Sequence, residues 1–273
     1  MAAYASVLAV LSGSDSDAAV LDAAARLAGA DGRLRVLAVR SDPVRVLPVV
    51  GEAGAAAAAE LVAVLEEQSR QRVARARAGF EDWRGRPGQR AGDLEEVEGH
   101  PAETAATVAR NADIVVVARP RDEDEPMAAS LVEACLFGSG RPLLVVPPSP
   151  AAFGARIAVL WDGSRTAARA VGDALPLLRA ARSVLVLTSG SLEEEAPTGA
   201  AVAERLKAQG IAASARAAGQ GEDGPTLAAA AAEGGCDLIV MGGYGHSRIR
   251  EMILGGVTRH MLASAKVPIL MAH

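Results

Sequence analysis

Residues 224–241 read GPTLAAAAAEGGCDLIVM, and residues 100–117 read HPAETAATVARNADIVVV. In each stretch a proline opens an alanine-rich run, an aspartate follows twelve residues later, and a continuous apolar run comes next. Proline suits the first turn of a helix, where its missing N–H would have no partner anyway. A Val/Ile-rich run without polar alternation is a strand covered on both faces, as in a parallel sheet. The chain therefore writes one helix–strand unit twice.

Other landmarks repeat in the same order. AVLSGS at 9–14 matches AVLWDGS at 158–164, and RVLAVRS at 35–41 matches SVLVLTS at 183–189. Each half closes on a proline-led strand, RPLLVVP at 141–147 and VPILMAH at 267–273. Such ordered self-similarity marks a tandem duplication, with the proline-rich PPSPAAFGA at 147–155 as its linker. The sequence predicts two doubly wound, Rossmann-like α/β domains, 1–147 and 155–273. Strands are expected at 6–11, 35–39, 113–117, 143–146, 156–161, 183–188, 237–241 and 268–271, with faint third strands near 93–98 and 212–217. The long charged stretch at 55–85 reads as a helix that is mostly a solvated face.

Composition narrows the function classes. With half its residues hydrophobic but only 3% aromatic, the chain must pack on Ala, Val and Leu. The 28 basic and 33 acidic residues are well mixed and give a net charge of -5, which leaves no footprint for nucleic acid. No apolar run reaches the length of a membrane span, and the first residues lack a basic region followed by an apolar one. Cys135 and Cys236 lack CxxC spacing and read as buried free thiols, so a cytoplasmic location is expected.

The most informative stretch is MGGYGHSRIREMILGGVTRHM at 241–261. Gly242 and Gly245 follow a strand, and Gly255 and Gly256 open a helix. In an open parallel sheet, ligands sit beyond the carboxyl ends of the strands. Glycines there let backbone amides approach a ligand, and a helix N-terminus presents unpaired amides to phosphate. No GxxxxGK[ST] occurs, GYGHSR lacks the third glycine of a dinucleotide fingerprint, and GHSRI is not GxSxG. The histidines at 100, 246, 260 and 273 show no metal-ligand spacing, so no protein-held metal is expected. His246 and Glu251 are the only candidate bases near the glycines, and neither has a visible orienting partner. No catalytic residue is assigned; an enzyme here would be at most a weak ATPase.

The pattern Gly-x2-Gly-x9-Gly, completed by Val257 and Thr258, resembles the universal stress protein family, specifically its tandem-domain members. The resemblance implies five-stranded parallel sheets of order 3-2-1-4-5 in two pseudo-twofold related copies. It also implies binding of ATP or AMP, with Mg2+ or Mn2+ accompanying a triphosphate, in a stress or signalling role. The residues it points to are Asp162, Ser189, Met241, Gly242, Gly245, Gly255, Gly256, Val257 and Thr258. Asp162 matches the acidic residue that contacts adenine. Gly256 departs from the usual Ser or Thr and removes one hydroxyl hydrogen bond, worth roughly 1 kcal/mol. A nucleotide-free interaction scaffold is the alternative. Family members pair through their last strands, so LLVVP and ILMAH are expected to lie antiparallel as an intramolecular pseudo-dimer, with a homodimer of the whole chain also allowed. The first copy carries Ser12 where the second has Asp162, and RPRDEDEPMAAS where the second has glycines, so its site is degenerate.

Overall fold

The computed structural model describes residues 4–42, 55–120, 126–188, 198–219, 224–243 and 256–273. They fall into two compact units, Met1–Ala118 with Glu125–Arg141 and Arg119–Asp124 with Pro142–His273. The first unit contains β1 (Ser6–Leu11), α1 (Asp17–Ala28), β2 (Arg33–Ser41), α2 (Ala55–Arg84), β3 (Leu94–Gly99), α3 (Pro101–Ala109), β4 (Ile114–Ala118) and α4 (Pro126–Gly138). Its strands lie in the order β3-β2-β1-β4, all parallel. Helices cover the sheet, and every residue of β4 is buried.

The second unit takes in β5 (Leu143–Val146), β6 (Arg156–Leu160), α5 (Arg165–Asp173), α6 (Leu175–Ala180) and β7 (Ser183–Thr188). It continues through α7 (Gly199–Lys207), β8 (Ala213–Ala217), α8 (Gly224–Glu233), β9 (Leu238–Gly242), α9 (Gly256–Ser264) and β10 (Ile269–Ala272). The order β8-β7-β6-β9-β10 is the 3-2-1-4-5 arrangement, and all of these neighbours are parallel. β5 then adds to the β10 edge in antiparallel register, Leu143 opposite Met271 and Val145 opposite Ile269. All eight residues of these two strands are buried. The chain is thus an α/β protein with mostly parallel sheets, and the last strand of the first copy is held within the second unit.

The duplication is visible in individual hydrogen bonds. The Asp113 N–H donates to Ser6 O and the Asp237 N–H to Arg156 O, each at 2.8 Å. The Asp113 carboxylate accepts from the Ser6 amide at 2.8 Å. Asp237 does more, accepting from Gly154 at 2.7 Å, Ala155 at 3.0 Å and Arg156 at 3.2 Å. At the opposite strand ends, Arg119 N–H donates to Val146 O and Gly243 N–H to Ala272 O, again at 2.8 Å each.

Strand β3 falls where the sequence reading expects it, whereas helix α2 differs from that reading. The third strand LEEVEG is glutamate-rich because arginines neutralise it: Arg35 holds Glu95 through two bonds of 2.8 Å, and Arg40 and Arg77 pair with Glu98 and Glu96. Helix α2 is more than a solvated face. Ser69, Val73, Ala76, Phe80 and Trp83 recur at three- and four-residue steps and form one buried stripe. Trp83 is fully buried and donates through Nε1 to Asp22 at 2.7 Å.

Two expected outcomes follow from this packing. Replacing Asp237 with Ala leaves the Gly154, Ala155 and Arg156 amides without their acceptor, at a cost of about 1–3 kcal/mol in urea unfolding; an unchanged midpoint would show the carboxylate is dispensable. Both cysteines are free, Cys135 buried and Cys236 half-buried. Burial pushes the Cys135 thiol up to about 12, and it also raises that of Cys236, with Asp237 adding to the effect. Since the thiolate is the reactive form, iodoacetamide at pH 8 should label Cys236 well before Cys135, followed by intact-mass kinetics. Equal rates would contradict the burial of Cys135.

Candidate functional site

The carboxyl edge of the second unit starts from strand register. β6 and β9 are adjacent and parallel, Leu160 opposite Met241, so Asp162 and Gly242 emerge at the same edge. After β6 the chain turns sharply at Gly163, whose φ of 75° lies in the left-handed region open to glycine. Asp162 is exposed, and its Oδ1 accepts from the Ser164 amide at 2.9 Å. Ser164 caps α5 by accepting from the Ala167 amide at 3.1 Å, and its hydroxyl meets that of Thr166 at 3.0 Å. The capping bond starts the helix and holds the Asp162 loop against it.

Gly242 lies against the first turn of α5. A Cβ there would lie 2.6 Å from both Ala167 N and Thr166 Oγ1. Glycine is required because strand and helix backbone touch, whatever else the edge does. Gly256, the first residue of α9, differs: it is exposed, and a Cβ there would meet no atom within 4 Å among the described residues. The amides of Gly256, Val257 and Thr258 belong to the first turn of α9, where helical N–H groups have no partner within the helix.

The remaining expected residues divide clearly. Met241 is 4% exposed, so its side chain packs in the core and only its backbone faces the edge. Thr258 is also 4% exposed, so its hydroxyl is not presented to solvent. Val257 is half-buried. Ser189, Gly245 and Gly255 lie outside the described residues, as do His246, Glu251 and the acidic residues Asp122–Glu125 of the first copy. Next to Ser189, Thr188 closes β7 with a buried hydroxyl that finds no partner among the described residues. The sequence reading missed Ser164 and Thr166. A serine directly before an amphipathic helical run was the available signal for the cap, whereas the contact of Thr166 with Gly242 has no local signature. No group of three or more His, Cys, Asp or Glu residues able to hold a metal occurs among the described residues. No helix among them is long and apolar enough to cross a membrane.

The two glycines should respond differently to a methyl group. Gly242→Ala forces apart the α5 and β9 backbones and should cost about 1–3 kcal/mol. Gly256→Ala should leave stability unchanged or raise it by up to about 1 kcal/mol, alanine being the better helix former. Urea unfolding of the two variants checks this, and equal destabilisation would show that Gly242 is not the contact point.

Comparison with known proteins places these features. Residues 155–273 match the model of the universal stress protein family. Across almost the whole chain, the fold is similar to that of a universal stress protein from Archaeoglobus fulgidus DSM 4304, with 17% identity, 97% of each chain covered and a TM-score of 0.71. It is also similar to a putative universal stress protein from Pseudomonas aeruginosa UCBPP-PA14, with 15% identity, 98% of this chain and 92% of that one covered, and a TM-score of 0.54. No curated protein matches the sequence.

Proposed function

We propose, on the premise that residues 155–273 match the universal stress protein family, that the second copy binds an adenine nucleotide, ATP or AMP, without catalysing its turnover, in a stress-response or signalling role. The observation that carries this reading is the start of α9. Gly256 opens the helix with no described atom where a side chain would stand, and the first-turn amides of a helix lack partners within it and suit phosphate oxygens. A phosphate group fits such a seat because the helix end supplies both hydrogen-bond donors and a partial positive charge.

At the neighbouring strand end, the exposed carboxylate of Asp162 already uses Oδ1 to hold the Ser164 amide. Its other oxygen would accept from a ribose hydroxyl or the adenine amino group. Gly242 keeps β9 and α5 close, which sets the depth of the edge. Ser189, Gly245 and Gly255 complete the proposed set. A triphosphate would bring its own Mg2+ or Mn2+, which offsets charge that three backbone amides alone do not neutralise.

Isothermal titration with ATP and with AMP tests the reading. Wild-type protein should bind one or both. Gly256→Val fills the seat and should weaken binding at least about tenfold, a loss of about 1.4 kcal/mol or more, with the unfolding midpoint kept. Asp162→Asn should weaken binding less, since an amide can still accept a hydrogen bond. Undiminished affinity in Gly256→Val would place the nucleotide elsewhere, and phosphate release from ATP would show an enzyme instead.

A further inference from the structure

The two copies share a turn whose surroundings differ. Gly13 and Gly163 occupy matched positions after β1 and β6, in LSGS and WDGS, with φ of 74° and 75°. A Cβ on Gly163 would meet no atom within 4 Å among the described residues. A Cβ on Gly13 would lie 2.3 Å from the backbone oxygen of Arg72 and 2.6 Å from its Cγ. The same turn is open in one copy and covered by helix α2 in the other.

Helix α2 also satisfies the polar groups of that edge. Ser41, which closes β2 at this edge, donates its amide to Ser69 Oγ at 2.8 Å, and its hydroxyl accepts from Arg72 Nη2 at 2.9 Å. Arg75 Nε donates to Gly13 O at 3.0 Å. Ser12, which matches Asp162, is turned inward, with its amide and hydroxyl both donating to the Asp17 carboxylate, at 3.0 and 3.3 Å. The Gly13 amide donates to the other Asp17 oxygen at 2.8 Å. What remains between Ser12, Val39, Arg72, Pro101, Met127 and Leu131 is a space of about 10 Å³, no more than a single water occupies.

We propose that α2 is a built-in ligand of the first copy: Ser69, Arg72 and Arg75 occupy the edge that a nucleotide takes in the second, so each chain binds one nucleotide rather than two. The stoichiometry rests on nucleotide binding by the second copy, whereas the plug itself does not. Loss of the glycine motif alone would leave an empty cleft. Here, instead, backbone and side-chain groups at the edge are paired with the chain's own helix, and a soluble nucleotide would have to displace a segment anchored by Phe80 and Trp83. The contact also gives a use to the length of α2, 30 residues against 9 in its counterpart α7.

Amide-exchange mass spectrometry on the full chain, with and without ATP and Mg2+, tests this. In the ligand-free protein the Ser41 amide should exchange at least tenfold slower than an unprotected one. ATP should slow exchange in α9 and leave residues 12–17 and 41–42 unchanged. In a Ser69→Ala, Arg72→Gln double variant the Ser41 amide should exchange at least tenfold faster than in wild type, while Trp83 emission shows α2 still docked. Unprotected Ser41 in the wild type, or protection of 12–17 by ATP, would overturn the plug. An α9 indifferent to ATP overturns the nucleotide reading, and in that case slow Ser41 exchange that the double variant releases still supports the plug.

Discussion

An aspartate placed just before the fourth strand of each repeat sets the geometry on which the rest depends. Asp237 gathers three consecutive amides at the start of β6, and Asp113 takes the equivalent amide at the start of β1. These bonds tie the amino ends of the first and fourth strands and so fix their register. Because strands advance in regular steps, register set at one end determines which residues emerge together at the other. Asp162 and Gly242 share an edge because Asp237 aligned β6 with β9 about five residues earlier.

At the carboxyl edge, glycine serves two unlike purposes. Gly242 is pressed against the α5 backbone, whereas Gly256 meets no described atom. A sequence pattern registers both as the same letter at a conserved-looking spacing, and only the neighbours distinguish them. Burial makes a similar division between Met241 and Thr258, which are buried, and Asp162, which is exposed.

The strands were legible because buried parallel strands carry continuous apolar runs. VLAVL, IVVVA and IAVL needed no other context, and ten strand positions agree with the expectation to within a residue or two. Helix α2 was read less well. Its buried stripe begins with Ser69 and includes Ala76, neither a strong apolar signal, and arginines fill the intervening positions. What the sequence could not disclose was contact across long separations. Arg72 against Gly13, or Thr166 against Gly242, joins residues whose local patterns carry no trace of one another. The first copy was read as degenerate from the letters it lacks, while the helix that fills it became visible only in three dimensions.

The pairing of β5 with β10 has a kinetic side. The two strands are separated by more than a hundred residues, yet each supplies the other's hydrogen-bonding edge. Contacts that close so long a stretch of chain form late, since loop entropy must be overcome first. During synthesis β5 emerges with the first copy and remains a bare, apolar edge until nearly all of the second copy has followed. Throughout that interval an open apolar edge is exposed to non-native pairing, a hazard that closes only when β10 docks.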